Sequence, residues 1–275
     1  MARRAARAAA SSSTAATRGC RSAVDDLRDQ TAVVTGGSRG FGRGIVEALA
    51  GAGMRVVAVA RDPGALAVLA REVKGRIETV AADATDPVTA ARVIDRERPR
   101  VLVLNAGATG PHRPTRLQTW ETFSVFWQTD VRGAFLWVRE ALALPLERGS
   151  TIFIGSSTAA WSSQPLIAGY AAAKAALWEF ARCVAPEAAS LGLRVHCLLP
   201  VLTRETAMGR DAVAAFARWM RVGEADIARQ MGLEPPLTPA IVGAAVVRIL
   251  TDAACAGEVG FRIRADGAQP MSEVG

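Results

Sequence analysis

The chain has 275 residues, half of them hydrophobic, and a formal net charge of +7. That is enough for one sizeable α/β core, and because residues 1–22 hold Arg3, Arg4, Arg7, Arg18 and Arg21 with no acidic residue, the remainder carries only +2. A nearly balanced body without recognition signatures argues against a nucleic-acid partner, and no apolar run reaches the ~18 residues of a membrane span. Cys20, Cys183, Cys197 and Cys255, with His112 and His196 as the only histidines, show no metal-ligand spacing. Metal is therefore not expected, and the compartment reads as reducing and cytoplasmic.

Residues 1–29 read as an extension ahead of a single domain spanning residues 30–275. Its first 22 residues are rich in Arg, Ala and Ser. Organellar targeting, disorder, or a start codon upstream of the true one all fit that composition, and its apolar stretches are too short for a secretory core.

From residue 31, short β-branched runs alternate with amphipathic stretches, the pattern of βαβ units and a parallel sheet. Strands are predicted at Thr31–Thr35, Arg55–Ala60, Arg76–Ala82, Val101–Leu104, Thr151–Gly155, Arg194–Leu199 and Val259–Arg264. Helices are predicted at Gly42–Ala52, Gly64–Lys74, Pro87–Glu97, Trp120–Leu146, Tyr170–Ser190 and Pro239–Thr251. The fold class implied is a Rossmann-type doubly wound parallel sheet of about seven strands with helices on both faces, ligands lying at the carboxyl ends of the strands. Residues 201–236 interrupt the alternation and are expected to form a lid-like insertion.

The first strand runs into Thr35-Gly36-Gly37-Ser38-Arg39-Gly40-Phe41-Gly42. Gly36, Gly40 and Gly42 let a turn tighten and let backbone amides at a helix start approach a pyrophosphate. The second strand ends in Arg61, where an arginine accommodates the 2′-phosphate of NADP and a carboxylate would accept the ribose of NAD. Arg39 offers a second guanidinium for that phosphate. Asp62 is the residue that argues for NAD instead.

Tyr170 is the single tyrosine, and Lys174 is one of two lysines against 31 arginines. Residues four apart share a helix face, so the ammonium can reach the phenol, favour its ionised form and make the hydroxyl a proton donor or acceptor.

These residues together resemble the short-chain dehydrogenase/reductase family over roughly residues 30–268. The resemblance rests on the GxxxGxG turn, Asn105-Ala106-Gly107, Ser157 thirteen residues before Tyr170, and Tyr170 with Lys174; it includes 3-oxoacyl reductase-like members. It implies an NADP(H)-dependent oxidoreductase interconverting carbonyl and secondary alcohol. Tyr170 would be the general acid/base, with Ser157 holding the substrate oxygen, although Ser156 is adjacent, and Lys174 bonding the nicotinamide ribose. Asp83 and Ala84 would meet the adenine, residues 105–107 the adenosine side, and Pro200 and Thr203 the nicotinamide. A homodimer or homotetramer is expected. Two positions depart from the family pattern: Asp130 stands where an asparagine is usual in the proton path, and Val201 follows Pro200 where glycine is usual. They motivate a second reading, a non-catalytic NADP(H)-binding sensor or scaffold.

Met208, Phe216, Trp219, Met220 and Met231 in the insertion, with Trp161, offer an adaptable apolar wall for a hydrophobic carbonyl compound. Arg204, Arg210, Arg218 and Arg221 could meet the phosphate of a carrier-bound substrate.

Overall fold

A computed structural model describes residues 27–273. The expectations for the preceding extension, including Cys20, lie outside the described residues up to 26. Leu27 is buried in the core, and the Asp29 amide donates to Gly53 O at 3.1 Å.

Eight strands form one sheet: β1 (Thr31–Thr35), β2 (Arg55–Ala60), β3 (Arg76–Ala81), β4 (Val101–Leu104), β5 (Thr151–Gly155), β6 (Arg194–Pro200), β7 (Gly260–Arg264) and β8 (Gly267–Pro270). Their order is β3-β2-β1-β4-β5-β6-β7-β8. All neighbours are parallel except the β7–β8 pair. The eighth strand is the hairpin return after Asp266-Gly267, where Gly267 takes φ +119°. The order reverses between β1 and β4, which opens the crevice where doubly wound sheets hold ligands.

The central strands are continuous apolar runs because both faces are covered. One face carries α1 (Gly40–Gly51), α2 (Pro63–Glu72) and α9 (Pro239–Thr251), whose Ile45, Leu49, Leu69 and Val246 pack on Val34, Val56 and Val103. The other carries α3 (Pro87–Glu97), α5 (Arg132–Ala143) and α6 (Ala168–Ser190), whose Val93, Trp137, Leu177 and Ala181 meet Val33, Leu102 and Ile152. Helices α2, α3 and α9 start at an Asp-Pro or Thr-Pro step, with Asp62, Asp86 and Thr238 accepting from first-turn amides. Capping oxygen and pre-set φ fix those starts locally.

Two expectations change. The helix expected over Trp120–Leu146 is three pieces: α4 (Trp120–Phe126), one turn of π-helix at Trp127–Val131, and α5. The widened turn sets Asp130 inward, buried against the sheet's carboxyl edge. The segment 201–236 is not irregular but contains α7 (Ala207–Met220) and α8 (Glu224–Gln230), which carry a small core of their own around Val213, Phe216 and Ile227.

Candidate active site

A cleft of about 1110 Å³ runs along the carboxyl ends of β1, β2, β4, β5 and β6. At one end, Gly36 takes φ +65° and Gly40 φ +54°, backbone states that favour glycine. A Cβ on Gly36 would sit 2.8 Å from Ala106 Cα. Asn105 ties this turn to β4: its Nδ2 donates to Gly36 O at 3.4 Å, and the Asn105 and Ala106 amides donate to Thr35 Oγ1 at 3.1 and 3.2 Å. The residue before α1, Arg39, supplies no side-chain cap, which leaves first-turn amides free for an anion. This cradle fits a dinucleotide pyrophosphate.

Ser38, Arg39, Gly40, Phe41, Arg61, Asp83, Ala84, Asn105, Ala106 and Gly107 all line the cleft. Gly42 does not: it lies beneath the turn, where a Cβ would meet Gly36 O at 2.1 Å, so its part is packing. Asp62 Oδ1 accepts from the Gly64 and Ala65 amides at 2.8 and 3.1 Å, which turns that carboxylate toward its own helix. Asp83 Oδ1 accepts from the backbone amide and the hydroxyl of Thr85, both at 2.8 Å. The amide bond above all, with the hydroxyl and the nearby Arg61, holds the Asp83 carboxyl below the usual range.

At the other end, Ser157, Tyr170, Lys174 and Asp130 converge with Pro200 and Thr203. Tyr170 and Lys174 stand in the first two turns of α6, and the Lys174 ammonium lies 5.5 Å from the tyrosine ring centre. The Phe126 ring packs edge-on against Tyr170 at 5.2 Å. Lys174 Nζ donates to Gly155 O at 3.1 Å and sits 2.9 Å from Asp130 Oδ2; their side chains are 9% and 1% exposed. The approach to Oδ2 is oblique, so the pair is held by charge more than by an aligned hydrogen bond. Burial alone would pull the ammonium down, but the Asp130 carboxylate outweighs it and leaves Lys174 above the ordinary lysine range.

Ser157 Oγ donates to Pro200 O at 3.3 Å and accepts from the Ala159 amide. The Ser156 hydroxyl instead donates to Lys174 O at 2.7 Å, pinning β5 to α6. Val201 follows β6 without a positive φ, its amide donating to Ile263 O, so the backbone continues the strand's direction.

Of the expected apolar wall, Met208, Phe216 and Met231 reach the cleft; Trp219 and Met220 are exposed elsewhere, and Trp161 packs edge-on against Trp178. Arg210 lines the cleft, whereas Arg204 pairs with Glu234 at 2.6 Å. Arg218 and Arg221 are exposed and do not line the cleft, although Arg218 is close enough to His112 to act on its imidazole. His112 was legible only as a failed metal ligand, yet it lines the substrate end with burial holding its imidazole below the usual range. Its one sequence signal is its place in the loop after Asn105-Ala106-Gly107. Among the described residues there is no cluster of metal ligands, and no helix is long and apolar enough to cross a membrane.

This arrangement of a glycine cradle at one end and a Tyr–Lys pair at the other has a family. The chain belongs to the short chain dehydrogenase family, whose model matches residues 30–215. It is accordingly an NAD(P)-dependent oxidoreductase of the dehydrogenase/reductase kind. A short chain dehydrogenase of Pseudocercospora fijiensis is 30% identical over 63% of this chain, and the match spans 60% of that protein's length. Carbonyl reductase (NADPH) 2 of Sus scrofa is 32% identical over 66% of this chain and 75% of its own. The 3-oxoacyl-(acyl-carrier-protein) reductase FabG of Escherichia coli is 30% identical over 64% of this chain and 74% of its own. A candidate NAD(P)-dependent gluconate 5-dehydrogenase from Beutenbergia cavernae, solved with NADP at low occupancy, superposes with a TM-score of 0.72, 27% identity and coverage of 85% and 95%.

Proposed function

We propose that the protein reduces a ketone or aldehyde, or oxidises the matching alcohol, with NADP(H) preferred over NAD(H). The observation that carries the reaction is the convergence of Ser157, Tyr170 and Lys174 at one end of a cleft whose other end is built for a dinucleotide. The cofactor supplies or accepts the hydride. Tyr170 gives the substrate oxygen its proton in reduction and takes it back in oxidation. Ser157 turns its hydroxyl from Pro200 O to the substrate oxygen and so orients it. Lys174 has three donors; Gly155 O takes one and the Asp130 carboxylate lies beside the ammonium, which leaves a donor for a ribose hydroxyl.

The NADP preference is supported by Arg61 and Arg39 on the cleft rim and by the turned-away carboxylate of Asp62. The name of the Sus scrofa relative points the same way. The substrate wall formed by Met208, Phe216, Met231 and Phe126 suits an apolar or carrier-bound carbonyl compound, with α7 and α8 as its lid. Exposed Trp120, Trp127 and Phe135 on α4 through α5 support a homodimer or homotetramer. Among the described residues Cys183, Cys197 and Cys255 form no disulfide, which fits the cytoplasm.

The test is NADPH oxidation over ketones, quinones and 3-oxoacyl thioesters, in the wild type and in Tyr170→Phe. Turnover that falls by at least about 10²-fold in Tyr170→Phe is expected from loss of the proton donor. A second reading, a cofactor-binding protein without turnover, draws on Ser157 being bonded to Pro200 O. Tight NADPH binding with no turnover across the panel would favour it.

A further inference from the structure

The cleft holds one buried charge to which the proton-transfer scheme above gives no role of its own. Asp130 reaches it because the chain widens into a π turn between α4 and α5, a local irregularity that often accompanies a functional site. Its two oxygens have separate partners. Oδ1 accepts from the Ala108 amide at 2.7 Å, which fixes the carboxylate to the loop after β4, and Oδ2 faces Lys174 Nζ at 2.9 Å. The site leaves no slack: a Cβ on Gly107 would lie 3.2 Å from Oδ2.

We infer that Asp130 is a positioning residue that both holds the Lys174 ammonium and offsets its charge, so that Tyr170 keeps its proton and the site is set toward carbonyl reduction. This rests on the reading of Tyr170 as the acid/base. An uncharged amide at position 130 would accept the same Ala108 bond and could face Lys174, but it would leave a full positive charge beside the phenol. Opposite charge favours the ionised phenol, so the carboxylate's presence works the other way.

The surroundings leave this charge pair as the main electrostatic control near the phenol. Lys174 shares α6 with Tyr170. Across the sheet edge, β6 presents the Cys197 thiol, which burial pushes up to about 12 and so keeps neutral. The end of β5 brings only the hydroxyls of Ser156 and Ser157. The loop after β4 brings His112, whose imidazole burial holds below the usual range. Glu205, Arg210 and Asp211 line the same cleft from the segment around α7, and all three are exposed to solvent. Solvent-exposed charges are screened far more than a buried pair.

The composition of the chain makes the test direct. Tyr170 is the only tyrosine, so the phenolate absorbance of the whole protein reports this one residue, and two lysines give two signals under lysine-selective ¹³C labelling. Lys74→Arg assigns them. In Asp130→Asn the phenolate midpoint is expected to fall by about one pH unit, the order expected for removing a nearby charge at an effective dielectric near 20. The pH at which alcohol oxidation half-rises should fall with it.

The Lys174 signal should stay that of an ammonium well into the alkaline range in the wild type, and titrate lower in the variant. An unchanged or higher phenolate midpoint in folded Asp130→Asn would overturn the inference. So would a wild-type Lys174 that loses its charge near neutrality, a result that needs no variant. Neither optical nor NMR titration requires turnover, so a silent substrate panel with a shifted midpoint would count against the reductase reading while leaving the electrostatic hold of Asp130 on Lys174 and Tyr170 standing.

Discussion

Asp62 caps α2 through Gly64: its Oδ1 lies 2.8 Å from the Gly64 amide, so the one carboxylate at the end of β2 faces away from the position of a ribose. Asp62→Ala should therefore cost about 1 kcal/mol of stability, the usual worth of a helix cap. It should leave the ratio of NADPH to NADH turnover unchanged. Thermal melting and paired cofactor kinetics measure both, and a shift toward NADPH in the variant would mean the carboxylate had been serving the ribose. Arg61→Ala is expected to raise KM for NADPH roughly tenfold, the effect of about 1.4 kcal/mol lost from a phosphate contact, with little change for NADH.

Gly42→Ala tests the packing under the cofactor turn. The added methyl would stand 2.1 Å from Gly36 O, backbone that cannot move without opening the turn. A loss of at least about 2 kcal/mol is expected from overpacking of this kind, together with loss of NADPH binding by fluorescence. Normal melting and normal binding would contradict the geometry.

His196 supplies a pH dependence. Burial holds its imidazole down at about 4 in the folded chain, against an ordinary 6.5. Between those values the unfolded chain binds the extra proton, so stability is full above pH 6.5 and declines as pH falls toward 4. The decline is about 1.4 kcal/mol per pH unit and roughly 3 kcal/mol in all. Urea unfolding at a series of pH values should show it, with a shallower slope in His196→Gln whatever that variant's starting stability.

Phe135 is 48% exposed and Trp120 68% exposed on the outer side of α4 and α5. If these rings sit in an interface between copies, Phe135→Glu combined with Trp120→Glu shifts sedimentation toward the 28.9 kDa monomer. A wild type that sediments only as monomer at micromolar concentration would remove the oligomer.

The parts of this molecule that could be read from sequence are those fixed by local chemistry. Val101–Leu104 is apolar on both faces because both faces are covered, and Asp-Pro marks the starts of α2 and α3 through a capping oxygen and a set φ. Tyr170 and Lys174 were legible because helix spacing alone places them together. The π turn at 127–131 was not, since Trp-Gln-Thr-Asp-Val holds no glycine or proline and the contacts its Asp130 makes are with Lys174 and the Ala108 amide, partners 44 and 22 residues away in sequence. Helix α7 had an apolar face in Val213, Phe216 and Ala217, but its burial depends on α8 and Leu166, which no local pattern reveals. His112 enters the cleft for the same reason, through the course of a loop.

At its closest the contact between α1 and α9 is backbone against backbone. A Cβ on Gly44 would stand 2.1 Å from Pro239 O, and one on Gly243 would stand 2.2 Å from Gly44 O. The helix that presents the nucleotide cradle thus leans on a helix about 200 residues later, and closing so long a loop comes before any gain from the contact. During synthesis, the amino-terminal half emerges first yet lacks the support against which its binding helix is seated. A polypeptide truncated before Pro239 is therefore expected to hold its cofactor poorly, because the helix under the cradle would lack the backbone it rests on.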